Sequence, residues 1–145
     1  MIAKTGRAVI IDDNNDIIFI KRTKFNEDMS IKNIYYTFPG GHLEGEETFE
    51  EATVREVYEE LGVNILLDKE FIHLFNEELN RDEVFYISHI VSGEIGTGNG
   101  PEFQVVDYLK YGKYDIVKIN KSELTNYNIL PIEVKEKILE ELKKV

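Results

Sequence analysis

Short β-prone runs bounded by turn residues fill most of the chain, and one central stretch changes to apolar residues at spacings of three and four. Arg7–Asp12 and Ile17–Arg22 read as the two strands of a hairpin, with Asp13, Asn14 and Asn15 supplying its turn. Thr23–Asn33 is polar and reads as a loop. Tyr35–Phe38 reads as a short strand, stopped by Pro39-Gly40-Gly41. A helix is predicted over Phe49–Leu61, where Val54, Val57, Tyr58 and Leu61 stand at i, i+3, i+4 and i+7 and form a core face. Thr48 followed three residues later by Glu51 is a capping-box signature, and Gly62 sits where a glycine ends a helix. Strands follow near Phe71–Glu77 and Glu83–Val91, with a turn at Asn80-Arg81-Asp82. Ser92–Gly100 holds four glycines and reads as a loop, and Tyr114–Ile119 as another strand. Pro131 opens a last helix, on which Val134, Ile138 and Leu142 form an apolar stripe with Leu139 beside it. Strands mixed with two helices indicate an α/β or α+β domain.

Composition narrows what such a domain does. A length of 145 residues suits one domain, residues 1–145, and 42% hydrophobic residues suit a packed core. No apolar run approaches the roughly 18 residues a membrane span needs, so no membrane partner is expected. The opening MIAKTGRAVI lacks the apolar region of a secretory signal. Cysteine is absent, which excludes disulfides, thiolate metal sites and a cysteine nucleophile. A cytoplasmic location is the resulting expectation. The formal net charge of −11 repels DNA and RNA phosphates, so a nucleic-acid partner is not expected. The same carboxylates can recruit divalent cations, which can then hold phosphates.

The chemistry concentrates between Phe38 and Val63. Glu56, Glu59 and Glu60 stand at i, i+3 and i+4, so they share one face of the predicted helix, apart from its apolar sector. Three adjacent like charges cost a helix a few tenths of a kcal/mol per pair, and Arg55 or a hard divalent cation would offset that. Glycines before the helix let backbone groups approach a metal or a phosphate closely. An isolated E-x-x-E-E is usually a solvated helix face. The full set of Gly41, Glu47, Arg55, Glu56, Glu59, Glu60 and Gly62 is different: at roughly one in fifteen per position it arises by chance in about one such chain in a million.

Gly41-x5-Glu47-x7-Arg55-Glu56-Val57-x-Glu59-Glu60-x-Gly62-Val63 resembles a complete Nudix box, and Phe38-Pro39-Gly40-Gly41 resembles its usual lead-in. The resemblance implies a Nudix fold of the α/β class, an α/β/α sandwich around a mixed sheet. It also implies a Mg2+- or Mn2+-dependent hydrolase of a nucleoside diphosphate-linked small molecule. Carried over, Glu56, Glu59, Glu60 and the Gly41 carbonyl would hold metal, while Glu47 and Arg55 would pair and orient the carboxylates. Catalytic roles are expected for Glu59, Glu60, Arg55 and Glu47. The general base is either a box glutamate or one on a later loop, for which Glu102 is the candidate. Arg22, Gly40 and Gly41 are expected to touch substrate. Tyr35, Tyr36 and Phe25 could stack on a base or belong to the core, and no role is assigned to His42, His73 or His89. Subgroup marks for ADP-ribose, dinucleoside polyphosphates and coenzyme A are not apparent. A MutT-type pyrophosphohydrolase of (d)NTPs or modified nucleotides is therefore the first expectation. ADP-ribose, nucleotide sugars and dinucleoside polyphosphates are the alternatives. A regulatory domain that binds nucleotide without cutting it is the rival from another class, and a homodimer is kept as an option.

Overall fold

The computed structural model describes residues 2–98 and 107–141. Its strands are β1 (Ala3–Ile10), β2 (Asp16–Phe25), β3 (Ile31–Thr37), β4 (Gly40–His42), β5 (Val63–Asn76), β6 (Arg81–Gly93) and β7 (Lys113–Asn120). Its helices are α1 (Phe49–Leu61), α2 (Tyr108–Tyr111) and α3 (Ile132–Glu141), with a 3-10 turn at Lys121–Asn126.

The strands form two sheets, ordered β4-β1-β6-β5 and β3-β2-β7. The first is mixed: β1 runs parallel to β6, while β4–β1 and β5–β6 are antiparallel. A bridge between Ile11 and Ile17 joins the sheets where β1 turns into β2. Side chains on a strand alternate between faces, and here both faces are buried. Val9, Ile17 and Phe19 pack with Phe38, Phe85 and, from α3, Val134 and Ile138. Ala8, Ile10, Ile18 and Ile20 pack with Val57 and Leu61 of α1. The continuous apolar runs at Ala8–Ile10 and Ile17–Ile20 are what a strand covered on both sides requires. The result is the expected α/β/α sandwich around a mixed sheet. Among the described residues, no helix is long and apolar enough to cross a membrane.

Helix α1 has the expected ends. Thr48 and Glu51 exchange both capping-box hydrogen bonds, and Gly62 takes φ 81° with its N–H on the Tyr58 carbonyl. The core face is rotated from its expected position. Tyr58 is 54% exposed, whereas Ala52, Thr53 and Glu60 are buried beside Val57 and Leu61. The buried sector follows the contacts with β1, β4 and β5, not the apolar residues alone.

Other boundaries shift for tertiary reasons. Thr23–Asn33 is not one loop: β2 continues to Phe25 and β3 begins at Ile31, because β7 and β3 supply ladder partners for these polar residues. β5 begins directly after Gly62, and bulges at Leu67/Lys69 and Glu70/Ile72 break its alternation. The β5–β6 turn is Glu77–Asn80, with Asn80 at φ 50°, so Arg81 and Asp82 belong to β6. α2 and the 3-10 turn carry too few residues to show a period. α3 starts one residue after Pro131, and Leu142 of its expected stripe lies outside the described residues.

Candidate active site

β4 brings the Gly40-Gly41 pair against α1. Gly40 sits at φ 143°, and a Cβ there would lie 2.2 Å from the Gly6 carbonyl oxygen, so only glycine fits. Its N–H donates to Glu60 Oε1 at 2.7 Å. That bond explains how a carboxylate with 7% exposure is tolerated on the buried side of α1. A Cβ at Gly41 would lie 2.5 Å from Glu56 Cδ and 2.6 Å from its Oε2. Glycine at this position therefore lets the strand backbone lie against the Glu56 carboxylate.

Arg55 ties these parts together. Its Nε and Nη2 donate to the two carboxylate oxygens of Glu47 at 2.7 and 3.0 Å, a bidentate pair. Nη2 also donates to the His42 carbonyl at 3.0 Å. Nη1 donates to Glu56 Oε1 at 2.9 Å and to Glu59 Oε2 at 3.2 Å. Glu47 in turn accepts from the Glu44 N–H at 2.8 Å, which closes the loop before α1. The hydrogen bonds that Arg55 donates to Glu47 raise the Arg55 pKa, with those to Glu56 and Glu59 adding to the rise. The Arg55 hydrogen bond, helped by the Glu44 N–H, holds Glu47 below the ordinary glutamate range. The guanidinium thus places Glu47, Glu56 and Glu59 around one cation, with Glu60 fixed separately on β4.

Glu56 and Glu60 face a cleft of about 1040 Å3 that also takes in Gly40, Gly41 and His42. Arg22 lines the same cleft from β2. Its guanidinium lies 3.7 Å above the Tyr114 ring, and its Nη2 donates to the Tyr111 carbonyl at 3.0 Å. Arg22 Nε is buried and has no hydrogen-bond partner among the described residues. Tyr35 also lines the cleft, whereas Tyr36 packs edge-on against Tyr127 and Phe25 against Tyr108. Glu59 is not among the cleft residues; its side chain is 44% exposed. Glu102 lies outside the described residues. The loop leading to it packs on the end of α1: the Gly96 N–H donates to the Leu61 carbonyl at 3.0 Å, and a Cβ at Gly98 would meet the Glu60 backbone at 2.5 Å.

Sequence reasoning missed the floor of this cleft. Arg7 of β1 and Glu83 of β6 line it, and they are paired Nε to Oε1 at 3.3 Å. A signal was present, since Arg7 and Glu83 stand at the parity of Val9 and Phe85, where a core strand should be apolar. Burial, with Arg81 and Arg7 nearby, lowers the His42 pKa.

A model of the NUDIX domain matches residues 3–131. Among solved structures, the chain is similar to the ORF135 protein of E. coli at 20% identity and TM-score 0.65, with 95% of this chain and 89% of that one covered. It is similar to MutT of Aliivibrio salmonicida and Vibrio cholerae at 21% identity and TM-score 0.64, with 97% and 99% covered. An ADP-ribose pyrophosphatase from Streptococcus suis matches at 16% identity and TM-score 0.65, with 97% and 91% covered. Identities this low establish a shared fold and leave the substrate open.

Proposed function

This chain belongs to the NUDIX domain family of hydrolases, and from that membership we propose that it is a divalent-cation-dependent pyrophosphohydrolase of (d)NTPs or modified nucleotides. The observation that carries this reading is the Arg55 cluster: one guanidinium holds Glu47, Glu56 and Glu59 beside a glycine corner at the mouth of a cleft. The MutT and ADP-ribose pyrophosphatase relatives support the reaction class, and the intact carboxylate set favours turnover over mere binding.

The donor chemistry suits Mg2+ or Mn2+. Glu56, Glu59, Glu60 and the Gly41 carbonyl offer only oxygen, and Gly41 leaves room beside Glu56 that a side chain would fill. As they stand, no three His, Cys, Asp or Glu side chains among the described residues form a metal-holding group. The hydrogen bonds account for this: Arg55 draws Glu56 and Glu59 toward itself, while the Gly40 N–H holds Glu60. When bound, the cation supplies charge neutralisation at phosphate oxygens and a more acidic water.

The chain's own residues do the rest. Glu47 fixes Arg55, and Arg55 orients Glu56 and Glu59. Glu60 ties α1 to β4 so that the Gly41 carbonyl and the carboxylates keep one geometry. Arg22, stacked on Tyr114 and lining the same cleft, is the residue assigned to the phosphate chain. Glu59, the most exposed of the three glutamates, is the general base within the box, and Glu102 is the alternative base from the later loop.

Phosphate and pyrophosphate release from nucleoside triphosphates, oxidised nucleotides, ADP-ribose, nucleotide sugars and dinucleoside polyphosphates tests this reading. The expected result is turnover of triphosphates with Mg2+ or Mn2+ and none with chelator. Turnover confined to ADP-ribose would replace the substrate assignment. Tight nucleotide binding with no turnover of any class would replace the enzyme reading by a regulatory one.

A further inference from the structure

The carboxylate corner accounts for one end of the cleft. On its floor, Glu83 is buried, with a side chain only 4% exposed, yet it lines the cleft. All of its polar contacts fall on one oxygen. Oε1 accepts from Thr5 Oγ1 at 3.1 Å and from Arg7 Nε at 3.3 Å, and lies 3.6 Å from Arg81 Nη1. Oε2 makes no hydrogen bond among the described residues. Arg81, also in the cleft, makes no side-chain hydrogen bond among them either, and its Nε is fully buried. Buried polar groups in folded proteins are nearly always paired, and Arg81 Nε is a buried donor without a partner among the described residues. Beside it Glu83 Oε2 keeps an acceptor free, so the two call for a ligand that presents the converse pair.

Arg7 holds this arrangement rigid. Its Nη1 donates to the Phe38 carbonyl at 3.0 Å, which links Glu83 to the turn before Gly40. The sheet fixes the spacing. Glu83, Thr5 and His42 form one row across β6, β1 and β4. At about 4.8 Å per strand, the Glu83 backbone stands on the order of 10 Å from that of His42, the residue after the glycine corner. That span separates the phosphates of a nucleotide from the far edge of its base. Phe75 and Ile132, each about half exposed, line the same cleft and offer apolar surface to a ring.

Resting on the hydrolase reading for the phosphate end, we propose that Glu83 is the residue that selects the base. Its Oε2 accepts from the ring N–H of a lactam base (guanine, hypoxanthine or uracil), and Arg81 donates to the neighbouring carbonyl oxygen. A carboxylate favours the acidic ring N–H of a lactam over an exocyclic amine, and a guanidinium favours the more strongly charged carbonyl oxygen over a ring nitrogen. Adenine and cytosine nucleotides are therefore poorer ligands. Thr5 and Arg7 are positioning residues that aim Oε2 into the cleft.

The test uses the unmodified protein with GTP, N1-methyl-GTP and ATP, measuring KM and kcat, and in parallel the melting-temperature shift given by GDP, N1-methyl-GDP and ADP with Mg2+. N1-methylation removes the donor while keeping the ring, so it should raise KM on the order of tenfold or more with little change in kcat. ATP should resemble the methylated nucleotide, and the diphosphates should rank likewise in stabilising the fold. Glu83→Gln should bring GTP toward the methylated level; if that variant does not fold, the substrate-side comparison still decides. Equal KM values and equal stabilisation by all three nucleotides would overturn the proposal and leave the hydrolase reading standing. Selective stabilisation by GDP without turnover would uphold the proposal and overturn the hydrolase reading. No stabilisation by any of the nucleotides and no turnover would overturn both.

Discussion

Arg55 touches Glu47 on one side and Glu56 and Glu59 on the other, and the two sides ask different things of it. The Glu47 side needs a planar fork, because two nitrogens meet two oxygens; the Glu56 and Glu59 side needs only charge. Arg55→Lys keeps the charge and loses the fork. We expect it to lower turnover roughly 10- to 100-fold, the usual cost of disturbing a group that orients metal ligands, and to raise the Mg2+ concentration needed for half-maximal rate. Unchanged metal dependence would show that the fork does not set carboxylate geometry. Glu47 adds a pH signature. Arg55 holds its pKa below the ordinary value of 4.5, so its contribution to stability is present above that value. The contribution is lost as pH falls through the lowered folded-state value. Thermal melts from pH 6 to pH 3 should therefore show a decline below about 4.5 that is smaller in Glu47→Gln. Identical declines in the two proteins would show that the Glu47–Arg55 pair does not contribute to stability.

At the scale of elements, α1 is a two-sided connector. Its ends were legible in the sequence because the cap residues act on neighbours within one turn, and both caps form as expected. Its faces were legible only in part. Val57 and Leu61 are fully buried, but Tyr58 faces solvent and Glu60 faces inward. The 3.6-residue period locates an apolar stripe; it does not reveal that β4 offers an N–H deep in the contact that accommodates a carboxylate there. Val57→Asp puts a second charge into this interface without a partner. The expected outcome is loss of folded protein, or a melting temperature lower by well over 10 °C, since an unpaired buried charge costs several kcal/mol. A Val57→Asp protein that melts like the wild type would show that α1 does not pack as described.

Across the whole molecule, legibility follows sequence separation. The box and its lead-in lie within one continuous stretch, and the structure brings Gly40, Gly41, Glu47, Arg55, Glu56 and Glu60 together around the Arg55 cation and the glycine corner. The cleft floor was not legible, because Arg7 and Glu83 are 76 residues apart and meet only through the parallel pairing of β1 with β6. The second sheet was blurred for a similar reason: Thr23–Phe25 has no strand pattern until β3 and β7 pair with it on either side. Arg22 illustrates the middle case. Its place at the end of a strand suggested contact with phosphate, while the Tyr114 ring that holds it comes from a strand 92 residues later, outside any local pattern.

In the proposed function the outward carboxylates of α1 perform metal-dependent hydrolysis and are not merely a charged helix face. Glu59→Gln tests it most directly, because the Glu59 side chain is 44% exposed and its loss should leave the fold intact. The measurement is Mg2+-dependent turnover of the best nucleotide substrate, alongside the melting temperature of the same samples. The expected result is a fall in kcat on the order of 100-fold or more, with the melting temperature within a few degrees of the wild type. Wild-type turnover in a folded Glu59→Gln protein would contradict it.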